Sequence, residues 1–367
     1  MISINLPESD RVNIGALSAL FRQRTNSYKY LFFIALLRHT QRSSVDLKTL
    51  GVEMLSIAWY PHVYFHLSFG IQDKIGKALD RLNFSSGSRW RAGRASSIAD
   101  LRQAIHDQWE EIDGDRLLRF VPQRLLTPFF ATELHGKRDS VKDKLIQDLA
   151  EANFNSHRPL YRFCKDGNSI ILHRDWHRYL ARHASIIEGW AHWHWVKYLQ
   201  ACNPNAPAIP EKLSPPSQRS QLKSERKFWH EILKLRELRC IYSGKVITPG
   251  DFHLDHFIPW SYVCHDRPWN LIPTIPEVNT RKGDSLPDRR YISQFVEHQA
   301  LALDLGMSIL KPDQWQKFIE PYILDLGLAH DSIQDEHAIQ DAYSATIEPL
   351  ISLAGQIGFQ SNWVYPA

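Results

Sequence analysis

The sequence predicts a mainly α protein with a short β–β–α module embedded in its second half, an α+β arrangement overall. Three observations lead there. Apolar residues recur at helical spacing through most of the first half of the chain. A run containing five prolines, residues 203–217, then interrupts the pattern. Beyond it, residues 236–290 change to short extended pieces before helical spacing resumes. With 367 residues, 43% hydrophobic and 23% charged, the chain buries enough surface to offset its ordering entropy and is too long for one core. The expected division is a helical segment 1–202, a proline-rich linker 203–220, the module at 221–290 and a helical tail 291–367.

Leu17, Leu20 and Phe21 open the helical pattern. Tyr30, Phe33, Ile34 and Leu37 continue it after Ser27, a candidate N-cap. Residues 45–60 read as a buried helix broken at Pro61, and further helices are predicted at 72–82, 98–112 and 141–152. Residues 161–173 depart from this, because alternating or apolar runs flank Asp166-Gly167, the signature of a hairpin. Next comes a stripe of Trp176, Tyr179, Ile186, Trp190, Trp193 and Tyr198. Base stacking is open to such a stripe, but its helical spacing favours a buried face. His192 and His194, two apart, face different sides of a helix and make a poor metal pair. Arg89, Arg91 and Arg94, with Trp90 in a Gly/Ser-rich loop, are candidates to grip a phosphate backbone.

Charge is divided along the chain. Lys and Arg outnumber Asp and Glu 30 to 21 over residues 1–220 and 12 to 9 over 221–290, whereas the tail holds 2 against 10. Two basic segments followed by an acidic one suggest a polyanionic partner for the first 290 residues. Four scattered cysteines exclude a disulfide scaffold. There is no secretory pattern at the start and no apolar run long enough for a bilayer, so the expectation is a soluble, cytoplasmic protein without a membrane partner. The tail is expected to form two or three amphipathic helices with acidic faces that pack on the N-terminal domain, self-associate or shield the basic cleft. The helical regions are the candidates for a homo-oligomer or a protein partner.

The chemistry concentrates in residues 236–290. Asp255-His256 lies in a predicted strand, Leu271-Ile272 in a second, and Pro276 opens a helix on which Asn279 and Lys282 share a face. A carboxylate and an amide oxygen are hard ligands that suit Mg²⁺ or Mn²⁺. A neutral histidine is the natural base for an attacking water, and a lysine can hold a phosphate as a point charge. His253, on the same strand face as Asp255, either orients substrate or faces solvent. Arg281, Arg289 and Arg290 flank the helix as candidate phosphate contacts.

This ordered set, Asp255-His256, Asn270 of Trp-Asn-Leu, and Asn279-x-x-Lys282, resembles the HNH, or ββα-metal, endonuclease family. The resemblance implies metal binding by Asp255 and Asn279, water activation by His256, and a central Asn270 that holds the loop and orients the histidine. Segments around Asn26-Ser-Tyr-Lys, Ala58-Trp-Tyr-Pro and Asn203-Pro-Asn-Ala-Pro also resemble bacterial proteins with a helical region before an HNH module. The implied activity is DNA hydrolysis, with RNA as the alternative substrate or a non-catalytic nucleic-acid-binding role, and the implied context is restriction or phage defence. Many HNH modules carry two Cys-x-x-Cys knuckles around a structural zinc. Here Cys240 alone remains of them, with Cys264 and His265 the nearest further candidates, so structural zinc is not expected. Packing of Tyr242, Val246, Phe257, Trp260 and Trp269 is expected to take its place.

Overall fold

A computed structural model describes residues 5–22, 26–83, 97–216 and 222–366. The chain forms two compact units. One comprises residues 1–204 and 212–215, the other 205–211 and 216–367. The described structure is mostly helical with two small sheets. No helix among the described residues is long and apolar enough to cross a membrane. Arg89, Arg91 and Arg94 lie outside the described residues.

In the first unit, α1 (Ile14–Ser18), α2 (Tyr28–Arg38), α3 (Leu47–Trp59), α4 (Ile75–Leu79), α5 (Ile98–Asp107), α6 (Gly114–Leu118), α7 (Val121–Leu125) and α8 (Asp139–Ala152) precede α9 (Arg174–Arg182) and α10 (Ala184–Cys202). Every residue of α2 from Tyr30 to Leu37 is buried, as is every residue of α3 from Leu50 to Trp59. Helices apolar all round belong at a centre, and α5, α6, α7 and α10 pack about this pair. The expected hairpin is present as β2 (Tyr161–Phe163) and β3 (Ser169–Leu172), turning through Gly167 at φ +72°, where glycine carries no steric cost.

Two expectations are corrected here. The helix expected from Val45 begins only at Leu47, because residues 44–46 form β1 (Ser44–Asp46) against β3, and the Asp46 carboxylate accepts the Thr49 amide as an N-cap. Nor does Pro61 end the run. A wide helical turn continues through Tyr60–Tyr64, with the Phe65 amide reaching the Tyr60 carbonyl, an adjustment that absorbs the hydrogen bond proline cannot make. The aromatic stripe breaks at His183 between α9 and α10. Trp176, Tyr179, Trp190 and Tyr198 are buried, while Ile186 and Trp193 are about half exposed.

The second unit contains α11 (Lys223–Leu235), β4 (His253–His256), α12 (Trp260–Val263), β5 (Leu271–Thr274), α13 (Pro276–Lys282), α14 (Ile292–Ile309), α15 (Pro312–Leu326) and α16 (Glu336–Gln356). Strands β4 and β5 pair antiparallel in unbroken register, with Asp255 opposite Ile272 and His256 opposite Leu271. The sequence left the packing of the acidic tail open. In the structure one apolar core runs from Phe228 to Phe359 and joins the strands to α14–α16. The Phe257 ring stacks on Phe295 at 4.0 Å. Buried Gln299 donates to the Leu271 carbonyl and accepts from the Tyr322 hydroxyl. Tyr343 donates to the Trp269 carbonyl, and the Trp269 indole donates to Asp325.

Gly51, buried in α3, shows how tightly the first unit is packed, since a methyl group there would overlap the Trp109 ring and touch Leu118. Gly51→Ala is expected to destabilise the protein by about 1–3 kcal/mol although alanine favours helix by about 1 kcal/mol. Urea unfolding of the variant measures the sign, and a gain in stability would contradict this packing.

Candidate active site

Strand alternation sends neighbouring side chains to opposite faces, and β4 has no bulge to change that. Asp255 turns toward α13. Its Oδ1 accepts a hydrogen bond from the Lys282 ammonium at 3.0 Å, and its Oδ2 accepts from the Tyr242 hydroxyl at 2.7 Å. His256, the last residue of β4, places Nε2 at 2.8 Å from the Asp266 carboxylate in the following loop. A carboxylate at Nε2 favours the tautomer protonated there, which leaves Nδ1 as the basic nitrogen.

Lys282 departs from its expected setting. Its side chain is fully buried, ion-paired with Asp255, and its ammonium also donates to the His256 carbonyl at 2.7 Å. The cause is geometric, for Lys282 sits at the end of α13 on the face that packs on β4. Asn270 is fully buried and ties the loop after β4 to itself, accepting from the Ile258 amide at 2.8 Å and donating to the Ile258 carbonyl at 2.9 Å. Its side-chain bonds therefore hold the residue two beyond His256 rather than the imidazole. On α13, the Asn279 amide nitrogen lies 3.4 Å from Nδ1 of exposed His253. That contact leaves the amide oxygen as the atom of Asn279 chemically able to meet a cation.

Residues 240–288 match the family model for HNH endonucleases. The chain carries an HNH module. No curated protein and no solved structure matches the chain. An HNH module implies nuclease activity and a nucleic-acid substrate, and HNH nucleases generally use a divalent metal ion.

The donor chemistry fits a hard divalent ion. Asp255 and Asn279 offer oxygen, and such ions accept few protein ligands when water and phosphate complete the shell. Among the described residues no group of three or more His, Cys, Asp or Glu is placed to hold a metal. Cys240 instead exchanges a hydrogen bond with Thr274. Of the residues expected to pack the module, Tyr242, Phe257 and Trp269 are buried, whereas Val246 is 43% exposed.

Two residues of the HNH module carry roles the sequence reading did not give them. Tyr242, assigned only to packing, hydrogen-bonds Asp255, and burial together with that carboxylate's charge raises its pKa and keeps it a neutral donor. Asp266 lies ten positions past His256 in the polar Cys-His-Asp-Arg turn, whose composition is the one signal that pointed to it. His265 beside it is pushed down to about 4, chiefly by burial, so it stays neutral near pH 7. Arg281, Arg289 and Arg290 are exposed beside Glu277, Glu348 and Asp288. Such pairs contribute about 0–1 kcal/mol, so these arginines can trade a carboxylate for a phosphate at little cost.

Removing one member of a buried ion pair strands the other. Asp255→Ala is expected to destabilise the protein by about 3–5 kcal/mol, and adding Lys282→Met to recover a large share of that loss. Urea unfolding of the two single variants and the double variant tests this. Additive losses would show that the pair is not an energetic unit.

Proposed function

We propose that the protein is a metal-dependent endonuclease that hydrolyses DNA phosphodiester bonds, with β4, β5 and α13 as its ββα-metal core. The observation that carries this reading is the His256–Asp266 pair, set beside a carboxylate held in place by buried Lys282 and Tyr242, within the stretch that matches HNH endonucleases. Nδ1 of His256 takes the proton from an attacking water, and Asp266 stabilises the imidazolium that results. Asn270 fixes the loop behind His256, so the imidazole enters the reaction already oriented. A divalent ion, Mg²⁺ or Mn²⁺, held by Asp255 and Asn279, supplies charge neutralisation at the phosphate and the departing 3′-oxygen when bound. Arg281, Arg289 and Arg290 receive the flanking phosphates. Lys282 contributes by fixing Asp255 and the end of β4. The products carry 5′-phosphate and 3′-hydroxyl ends.

The basic balance of the first 290 residues supports a polyanionic substrate, and the resemblance to bacterial proteins with a helical region before an HNH module suggests restriction or phage defence as the context. Supercoiled plasmid should be cut in Mg²⁺ or Mn²⁺ and spared in EDTA. His256→Ala should lower the rate about 10²–10⁴-fold, the usual worth of a general base. Asp266→Asn should cost at least about tenfold in kcat with little change in KM, since it orients the base without touching substrate. Plasmid left intact by the folded wild type would sink the DNA reading, and cleavage of tRNA in its place would assign RNA as substrate. Cutting by His256→Ala at the wild-type rate would remove His256 from its role.

A further inference from the structure

The first unit contains a cavity of about 320 Å³ that the nuclease chemistry does not use. It lies between α2, the segment before α4, and α6–α7. Five cationic side chains line it, from Lys29, Lys74, Arg116, Arg119 and Arg124, and no acidic residue does among the described residues. Like charges crowded without a counterion are costly, so their balance is informative. Lys29 is half-buried and makes no ion pair among the described residues, and burial together with the Arg124 charge holds its pKa below the ordinary lysine value. Lys74 and Arg119 also make no ion pair among the described residues. Arg116 pairs with exposed Asp113 at 3.4 Å and with no other acid among the described residues. Arg124 is held by Asp143 and by Asp139, which fixes its guanidinium as part of the wall. Of the acids next to lining residues, Asp73 accepts the Ser27 and Ile75 amides at 2.9 and 2.8 Å, and Asp115 accepts the Trp109 indole N–H.

The cavity also offers more than charge. Phe120 is 51% exposed, and the Arg119 guanidinium lies 4.9 Å over its ring. That pair forms a platform of the kind on which a nucleobase stacks. The Tyr28 hydroxyl accepts the Lys74 amide at 3.3 Å and remains a neutral donor, because burial raises its pKa. Asn26 and Gln72 add amides able to meet a base or sugar edge. The volume falls at the lower end of ordinary small-molecule sites, roughly 300–1,000 Å³, more room than a lone phosphate fills.

We propose that this cavity binds a nucleoside phosphate, its phosphate among Lys29, Lys74 and Arg116 and its base against Phe120. The same chemistry is presented by a free nucleotide and by the terminal nucleotide of a strand carrying a 5′-phosphate.

Calorimetric titration of the full-length protein in EDTA, where hydrolysis is silent, tests the site independently of the nuclease reading. The probes are AMP, ATP, inorganic phosphate, and a short single-stranded deoxynucleotide with and without its 5′-phosphate. AMP or ATP, or the 5′-phosphorylated strand, should bind, and Lys29→Met should weaken that binding about tenfold or more, the value of one charge-assisted hydrogen bond. Phe120→Ala should weaken nucleotide binding but not phosphate binding. Lys74 and Phe120 are both exposed, so Lys74→Met and Phe120→Ala keep the test open if Lys29→Met fails to fold. Tighter binding of ATP than of the strand assigns a free nucleotide, and the reverse, lost without the 5′-phosphate, assigns a strand end. The proposal is overturned if no nucleotide or strand binds at millimolar concentration. It is equally overturned if inorganic phosphate binds as well as AMP and Phe120→Ala changes neither.

Discussion

The ammonium of Lys282 holds the site together. It reaches the Asp255 carboxylate and the His256 carbonyl at once, so one side chain fixes both residues of β4 to which the proposed chemistry is assigned, the first through its side chain and the second through its backbone. Gly283 ends α13 immediately afterwards at φ +53°, a conformation L side chains rarely adopt, and the helix stops where the ammonium meets the strand. A buried pair of this kind adds little net stability over apolar residues of the same shape, but it penalises every arrangement that separates its members. Its value here is register. The carboxylate is buried and held in one orientation by two hydrogen bonds.

That arrangement also redistributes the electrostatics of the nuclease unit. Lys282 is spent on a partner inside the protein, so the exposed cations near the site are the arginines on the surface of α13 and after it. Exposed cations governed by weak pairs give salt-sensitive, sequence-independent attraction. Any finer selection of substrate must come from shape or from elsewhere in the chain, and the cationic cavity of the first unit is the feature suited to reading a nucleotide as a molecule rather than as a charge.

Much of this was legible in the residues. Helical spacing located the buried faces of α2 and α3, Asp166-Gly167 marked the hairpin, and the order of Asp255-His256, Asn270, Asn279 and Lys282 marked the HNH module. What escaped depended on partners distant in the chain. Val45 carries no sign that it will leave its helix for a strand, because the strand it joins lies more than a hundred residues away. Lysine is ordinarily a surface residue, and nothing local to Lys282 says that the Asp255 carboxylate and the His256 carbonyl await it in the interior. Tyr242 read as packing because a phenol ring buries well, and its hydrogen bond to Asp255 exists only once the loop folds over β4. Asn270 was given the right loop and the wrong contact, since which backbone groups an amide clasps is decided by the turn around it.

The shared core of the second unit changes what counts as a piece of this protein. The buried residues of the stretch that matches the HNH family belong to one core shared with α14–α16. Phe257 rests on Phe295, and Trp269 is gripped by Asp325 at one end and by Tyr343 at the other. Residues 240–288 therefore share their walls with α14–α16, and the piece expected to keep its fold when moved into another chain runs from α11 through α16.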